Sequence, residues 1–126
     1  MMVIDNSVIV DLVLDAQVIP SLDPEQDWWA PTHLDAEFVN VLRRFVGTGD
    51  VSMKAAQECL EIFGDLAITR WQFDAPTRQR MLDLGHRLTA YDAAYVVVAE
   101  ALDAPLITRD ARLARTAGDY VECHLV

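Results

Sequence analysis

The spacing of apolar residues changes several times along the chain, and each change predicts a boundary between a strand and a helix. The first apolar run, VI, meets Asp5 and is followed by helix-compatible spacing in NSVIVDLVL. This predicts a buried strand that ends near Asp5 and leads directly into a helix. Residues 15–27 carry two prolines among scattered acids, so a loop with at most one helical turn is expected there.

The segment from residue 28 to residue 45 predicts a short strand, WWAP, followed by an amphipathic helix. Its apolar residues recur at helical spacing: Leu34, Phe38, Val41, Leu42 and Phe45. Thr32 followed by Asp35 resembles a capping box at the start of this helix. Glu37, Asn40 and Arg44 share one polar stripe beside the apolar face, so Glu37 is expected to look into a cleft.

The middle of the chain predicts two helices around a further strand. Ser52 is expected to cap a helix over MKAAQECLEIFGDL, whose buried face comprises Met53, Ala56, Leu60 and Phe63. AITRWQF predicts a strand. Pro76 then suits the first turn of a helix that runs to about Leu88.

The last third begins with LTAYDAAYVVVAEAL, which is apolar nearly all round and therefore predicts a buried helix ending before Pro105. PLIT predicts a buried strand that stops at Thr108. A short helix, RLARTA, follows Asp110, and YVECHLV contains a terminal strand. Strands that alternate with helices predict an α/β fold, with a central parallel sheet of about four or five strands and helices on both faces.

Length and composition predict one globular domain spanning residues 1–126, because 52% of the residues are hydrophobic and supply a sizeable core. No apolar run approaches the roughly 20 residues that cross a bilayer, so we expect a cytoplasmic protein that does not engage membranes. Cys59 and Cys123 are isolated in sequence and are expected to be reduced thiols.

The formal net charge is −10, which is the opposite sign from that of most nucleic-acid-binding proteins. The distribution of charge changes this picture. Residues 1–42 contain eight acids and no Lys or Arg, whereas nine of the ten basic residues are Arg and all of the basic residues lie from Arg43 onward. This polarity suits a negative pocket beside a basic rim.

Two acids follow predicted buried strands, and in a parallel sheet the ligand crevice lies at the carboxyl ends of the strands. Taken singly, each candidate acid has a structural explanation: Asp110 and Asp5 as helix caps, Asp92 in a capping box, and Glu37 as a solvated helix residue. Together they would leave several carboxylates buried at high cost, which predicts a bound cation. Oxygen ligands without a His or Cys cluster favour Mg²⁺ or Mn²⁺.

Four segments resemble the acidic motifs of PIN-domain ribonucleases from one end of the chain to the other: VIDNSVIVDL, LDAEFVNVLRR, LTAYDAAYVVVAEAL and APLITRDARLAR. The last two are the most specific. The subgroup that the chain resembles is that of the VapC toxins of toxin–antitoxin pairs. The resemblance implies a PIN-like three-layer sandwich.

The resemblance also implies roles for individual residues. The family's catalytic, metal-binding acids fall on Asp5, Glu37, Asp92 and Asp110. Ser7, Asn40 and Thr108 match positions that support these acids, and for Ser7 and Asn40 helix capping or solvation remains the alternative. Arg44, Arg109 and Arg112 flank the motifs and are candidates for RNA contacts, although solvated helix faces would also explain them.

The activity that the resemblance implies is Mg²⁺-dependent cleavage of RNA by activated water, with Mn²⁺ as a substitute ion. The products would carry 5′-phosphate and 3′-hydroxyl ends. A cognate antitoxin protein and a homodimer are implied as partners.

Two other functions stay open from the sequence. The chain could be a catalytically inactive PIN-fold binding module, which the presence of all four acids disfavours. It could also be a receiver-type phosphoacceptor, another α/β domain with acids at strand ends. That chemistry requires a Lys near the last strands, and Lys54 is the only lysine in the chain.

Overall fold

A computed structural model describes residues 1–15 and 19–126 of the chain; residues 16–18 of the predicted loop lie outside the described residues. Five strands form one sheet: β1 Met2–Ile4, β2 Trp28–Pro31, β3 Ile68–Trp71, β4 Leu106–Thr108 and β5 Cys123–Leu125. Their spatial order is β3-β2-β1-β4-β5, and every neighbouring pair is parallel. The predicted α/β fold with a parallel sheet is therefore confirmed.

The helices lie between the strands along the chain. They are α1 Asn6–Leu14, α2 Leu34–Thr48, α3 Met53–Asp65, α4 Ala75–Asp83, α5 Ala90–Leu102 and α6 Ala111–Ala117, with a 3₁₀ turn at Gly85–Arg87. From β1 the sheet extends to β2 and β3 on one side and to β4 and β5 on the other. Because the crossover connections are right-handed, this order places helices on both faces of the sheet. Of the helices in the described part of the chain, none has both the length and the apolar surface required to span a bilayer.

The core is centred on β1 and β4, whose residues are all buried. Helix α5 packs on both strands and on β2, and its residues 93–99 are all buried. This explains why its sequence is apolar nearly all round. Phe38 of α2 and Phe63 of α3 stack with ring centroids 4.3 Å apart, joining those two helices.

The predicted capping box of α2 is wrong. The helix begins at Leu34, its N-cap residue is His33, and no side chain caps it. Thr32 instead donates its backbone N–H to the carbonyl of Trp71, which continues the pairing of β2 with β3 beyond the strand. Asp35 forms an ion pair with Arg70, with Nε and Oδ2 2.8 Å apart. Thr32 and Asp35 thus both contact residues of β3.

The predicted buried face of α3 is only half correct. Ser52 caps the helix as expected, and Ala56 and Phe63 are buried. Met53 and Leu60 are 60% and 39% exposed, because they line an apolar groove between α2 and α3 that is open to solvent. Amphipathic spacing identifies an apolar face but does not show that another element covers it.

Helix α4 ends earlier than predicted. Its last residue is Asp83, not a residue near Leu88. Gly85 has a φ of +72°, a left-handed conformation that a continuing helix does not contain and that glycine adopts readily. The chain then makes the 3₁₀ turn before α5.

The stacked phenylalanines generate a test of the packing between α2 and α3. Phe38→Ala should lower the free energy of unfolding by about 3–5 kcal/mol, because Phe38 is fully buried and its removal leaves a cavity. Val39→Ala on the same helix is the matched control, since Val39 is 39% exposed and its truncation should change stability by less than about 0.5 kcal/mol. Urea unfolding of the three proteins measures the difference. Equal stability of the two variants would contradict the described packing.

Candidate active site

Asp5 lies where the central strand β1 ends, at the carboxyl edge of the sheet. Its backbone N–H donates to the carbonyl of Ile107 across the β1–β4 pair at 2.9 Å, so the two strands end side by side. The residue is only 6% exposed. Asp5 precedes α1 but its side chain makes no cap hydrogen bond to that helix. Its carboxylate is therefore available for another role.

Two hydroxyl groups hold the Asp5 carboxylate. Ser7 Oγ and Thr108 Oγ1 both donate to Oδ2 of Asp5, at 2.5 and 2.8 Å, and the two hydroxyl oxygens are 3.3 Å apart. The backbone N–H of Arg109 donates to Ser7 Oγ, and that of Asp110 donates to Thr108 Oγ1, each at 3.0 Å. The two hydroxyls thus connect Asp5 with the loop that carries Asp110.

The pKa of Asp5 is raised above its ordinary value. Burial has the largest effect, because it disfavours the charged form. The hydrogen bonds from Ser7 and Thr108 act in the opposite direction, and the negative charge of Glu37 adds to the effect of burial. The two hydroxyls therefore offset part of the cost of placing a carboxylate here.

Glu37 lies in the first turn of α2, and a buried tyrosine holds its side chain. The hydroxyl of Tyr95 donates to Glu37 Oε1 at 2.7 Å. Burial is the main reason that the pKa of Tyr95 is raised far above its usual range, with the charge of Glu37 adding to it, so the phenol stays a neutral donor. His33 Nε2 lies 3.1 Å from the same Oε1, close enough to pair with it when protonated but without hydrogen-bond alignment.

Sequence reasoning missed both Tyr95 and His33. The available signal for Tyr95 was a hydroxyl within the apolar run of α5, at a position that the structure shows to be fully buried. The signal for His33 was its place one helical turn before Glu37.

Asp92 lies in the first turn of α5, next to the other acids. Its pKa is raised, first by burial and then by the negative charges of Asp5, Asp110 and Glu37. Its backbone N–H donates to the Thr89 hydroxyl at 3.1 Å, so Thr89 caps the helix, which is one half of the capping box considered as the structural alternative for Asp92.

Asp110 caps α6, which is the structural alternative considered for it. Its Oδ1 accepts the backbone N–H groups of Arg112 and Leu113, at 2.9 and 3.2 Å. The cap fixes the position of the carboxylate and involves only one of its two oxygens. Capping and a place in the candidate site are therefore compatible.

A cleft of about 370 Å³ brings the four predicted acids together at this edge of the sheet. Its walls include Asp5, Glu37, Asp92 and Asp110. Asn6 also lines the cleft, and its buried Oδ1 has no hydrogen-bond partner among the described residues. Asn6 is a third residue that sequence reasoning missed here, although it immediately follows Asp5.

The other predicted residues lie around the cleft with different contacts. Arg44 and Arg109 line it, but Arg109 Nε is paired with Asp11 Oδ2 at 2.5 Å. Arg112 lines an adjoining pocket instead. Asn40 is exposed, lines another pocket beside Glu37, and makes no hydrogen bond to Glu37 in the part of the chain that the structure describes. The support expected from Asn40 stays a prediction.

The donor set of the cleft suits a hydrated divalent cation. Asp5, Asp92 and Asp110 form no ion pair with a basic side chain within residues 1–15 and 19–126, and the charges of Asp5 and Asp110 add to burial in raising the pKa of Asp92. Within the same residues, however, no three His, Cys, Asp or Glu side chains are arranged so that they alone could hold one metal ion. Mg²⁺ retains several waters and is bound through one or two carboxylates, so looser spacing fits it.

Comparison with known proteins agrees with this fold. Residues 2–119 match the family model of the PIN domain. The chain is 36% identical to Ribonuclease VapC1 of Mycobacterium tuberculosis over 128 residues, covering 98% of this chain and 96% of that protein. It is 36% identical to Ribonuclease VapC12 of the same organism over 130 residues, covering 100% of this chain and 99% of that protein.

A solved structure, that of PAE2754 from Pyrobaculum aerophilum, shares the fold. Its TM-score is 0.67 at 20% sequence identity, and the match covers 97% of this chain and 87% of the other.

The burial of Asp92 and its repulsion by neighbouring acids predict a dependence of stability on pH. The folded-state pKa of Asp92 is raised above its ordinary value of 3.8. At a pH below that value the side chain is protonated in both the folded and the unfolded protein, so it costs no stability. As pH rises through the folded-state pKa, the folded protein must hold the charged carboxylate and loses stability. Asp92→Asn removes this loss. The variant and the wild type should be similarly stable near pH 4, and the variant should be more stable near pH 7.

Urea unfolding in EDTA at the two pH values measures this difference. Asp103→Asn provides a control, because Asp103 is an exposed acid at the far end of the same helix, in a left-handed conformation that Asn also tolerates. An Asp92→Asn variant that is less stable than wild type at pH 7 would contradict the repulsion.

Proposed function

Because the chain belongs to the PIN domain family, we propose that it is a metal-dependent endoribonuclease that hydrolyses RNA phosphodiester bonds as the toxin of a type II toxin–antitoxin pair. The observation that carries the proposal is the convergence of four acids, from four separate parts of the sequence, on one cleft. The names of the two relatives support ribonuclease activity, since each matches this chain over nearly its whole length.

The proposed cofactor is Mg²⁺, with Mn²⁺ as a substitute, held by Asp5, Glu37, Asp92 and Asp110. When bound, the ion supplies Lewis-acid chemistry: it activates water for in-line attack and offsets negative charge on the transferring phosphate. The carboxylates supply oxygen ligands, and the all-oxygen donor set of the cleft supports this choice of ion.

The surrounding residues would keep these carboxylates in place. Ser7 and Thr108 donate to one oxygen of Asp5, which fixes the plane of that carboxylate. Tyr95 does the same for Glu37, and the α6 cap does so for Asp110. Preorganised oxygens need no rearrangement when substrate arrives, which is how a rigid site lowers the barrier to reaction.

The first experiment compares cleavage of total cellular RNA by wild type and by Asp5→Asn, each with Mg²⁺ and with EDTA. Wild type should cut only with metal and leave 5′-phosphate and 3′-hydroxyl ends. Asp5→Asn and Asp92→Asn should fold normally but lose at least about 100-fold in rate, because each removes a charged ligand. Asp103→Asn should retain full activity.

A second readout is independent of turnover. Several millimolar Mg²⁺ should raise the Tm of wild type, because ligand binding to the folded state stabilises it, and should have little effect on Asp5→Asn. Full activity in either site variant would refute the assignment. Absence of cleavage by folded wild type, freed of any antitoxin, would favour a PIN-fold binding module without activity.

We further propose that the protein forms a homodimer and binds a cognate antitoxin in the cytoplasm. Its similarity to the VapC relatives supports a protein partner, and its two cysteines are free, as expected in a reducing compartment. Exposed apolar side chains along α2 and α3 also suit a protein interface.

Gel filtration with light scattering should give twice the chain mass of 14.1 kDa for the purified protein. A mass of one chain at micromolar concentration would exclude a stable dimer. Co-expression with the product of an adjacent small gene should yield a complex with reduced ribonuclease activity.

A further inference from the structure

A second pocket adjoins the acidic cleft and shares two of its lining residues. It has a volume of about 310 Å³, and both Asp92 and Asp110 line it as well as the acidic cleft. The rest of its lining comes mainly from the 3₁₀ turn, the start of α5 and helix α6, and includes His86, Arg87, Thr89, Arg112, Arg115 and Thr116. We call this the arginine pocket.

The arginines of the pocket differ in whether they form an ion pair with an acid. Arg87 is paired with Asp119, with Nη2 and Oδ2 2.6 Å apart. Arg112 and Arg115 form no ion pair with any acid in the part of the chain that the structure describes. Both are exposed, and they are three residues apart on α6, so they lie on one side of the helix and repel each other. An anion between them would relieve that repulsion.

Position distinguishes Arg112 and Arg115 from the other basic residues. Arg70, Arg80, Arg87 and Arg109 each have an acid partner, and the other six basic residues form no ion pair within residues 1–15 and 19–126. Of those six, Arg112 and Arg115 lie together in a pocket that two of the candidate acids also line. Their position therefore suggests that their partner is a ligand.

We propose that the arginine pocket binds the RNA phosphate adjacent to the one that is cleaved. This inference rests on the proposed function, because it places the cleaved phosphate among the four acids. Guanidinium groups match phosphate oxygens in charge and in hydrogen-bond geometry, and the hydroxyls of Thr89 and Thr116 add neutral donors. The amino end of α5 contributes a favourable dipole.

The chemistry of the arginine pocket favours the RNA backbone over a base. Among the described residues no Phe, Tyr or Trp lines it, so His86 is its only aromatic ring, whereas three arginines offer charge to a phosphate. Contacts to phosphate fix the register of a strand without reading its sequence. Arg44 lines the acidic cleft, which does not include Arg112 or Arg115. The RNA would thus meet basic side chains in the acidic cleft as well as in the arginine pocket.

The test compares two double variants that remove the same charge. R112Q/R115Q empties the arginine pocket of its unpaired cations, and R43Q/K54Q removes two exposed cations from α2 and α3 as the matched control. Binding of a short fluorescein-labelled RNA is measured by anisotropy in EDTA, where metal-dependent cleavage does not occur. We expect R112Q/R115Q to bind at least about tenfold more weakly than wild type and the control to bind within twofold.

The dependence of binding on salt provides a second readout. The slope of log K against log salt should become shallower by about 0.7 for each lost phosphate contact in R112Q/R115Q. R112K/R115K keeps the charges and should recover most of the affinity. In Mg²⁺, the kcat of R112Q/R115Q at saturating RNA should stay near that of wild type. Its KM, from the dependence of rate on RNA concentration, should rise.

The outcomes separate this inference from the proposed function. Equal RNA affinity of R112Q/R115Q and R43Q/K54Q, with equal Tm, would overturn the inference even if wild type cleaves RNA. Binding that depends on Arg112 and Arg115 in a wild type that does not cleave would support the pocket and refute the nuclease. A wild type that binds no RNA in EDTA and cleaves none in Mg²⁺ would overturn both.

Discussion

The constraint on which the site depends is the burial of a carboxylate at the end of the central strand. Asp5 follows β1, between two parallel neighbours, where an unpaired charge is costly. Ser7 and Thr108 offset part of that cost, and they lie two and 103 residues away along the chain. Their hydrogen bonds fix the β1–β4 edge and the loop that carries Asp110. The hydrogen bonds that lower the cost of burying the Asp5 carboxylate therefore also hold one side of the cleft together.

The groups that hold the acids are neutral, and this has an electrostatic consequence. Tyr95 donates to Glu37 through a phenol that stays protonated, and hydroxyls donate to Asp5. A Lys or Arg in either place would neutralise the carboxylate that it positions. A neutral donor fixes the geometry and leaves the negative charge, at the cost of repulsion that adds to burial in raising the pKa of Asp92. The acids of the cleft thus keep a negative charge that a bound cation would offset.

Local sequence patterns predicted the parts of this site that depend on local structure. Buried strands that end at Asp5 and Thr108 follow from short apolar runs, and their parallel pairing brings the strand ends together. The contact between Tyr95 and Glu37 spans 58 residues and has no local signature, so it required the fold. Met53 was misplaced for a related reason, since a helical apolar stripe does not reveal whether another element covers it.

The charge polarity of the chain reconciles a net charge of −10 with RNA as a substrate. Negative net charge weakens attraction to RNA at long range, where the whole charge distribution acts as one. At contact distance the local arrangement decides, because surface charges are screened beyond about 10 Å at ordinary salt. Arg109 is neutralised by Asp11, whereas Arg112 and Arg115 lie beside the cleft without an acid partner among the described residues. Affinity would then come from few contacts, so that a strand is held where its phosphates fit this spacing and is repelled elsewhere.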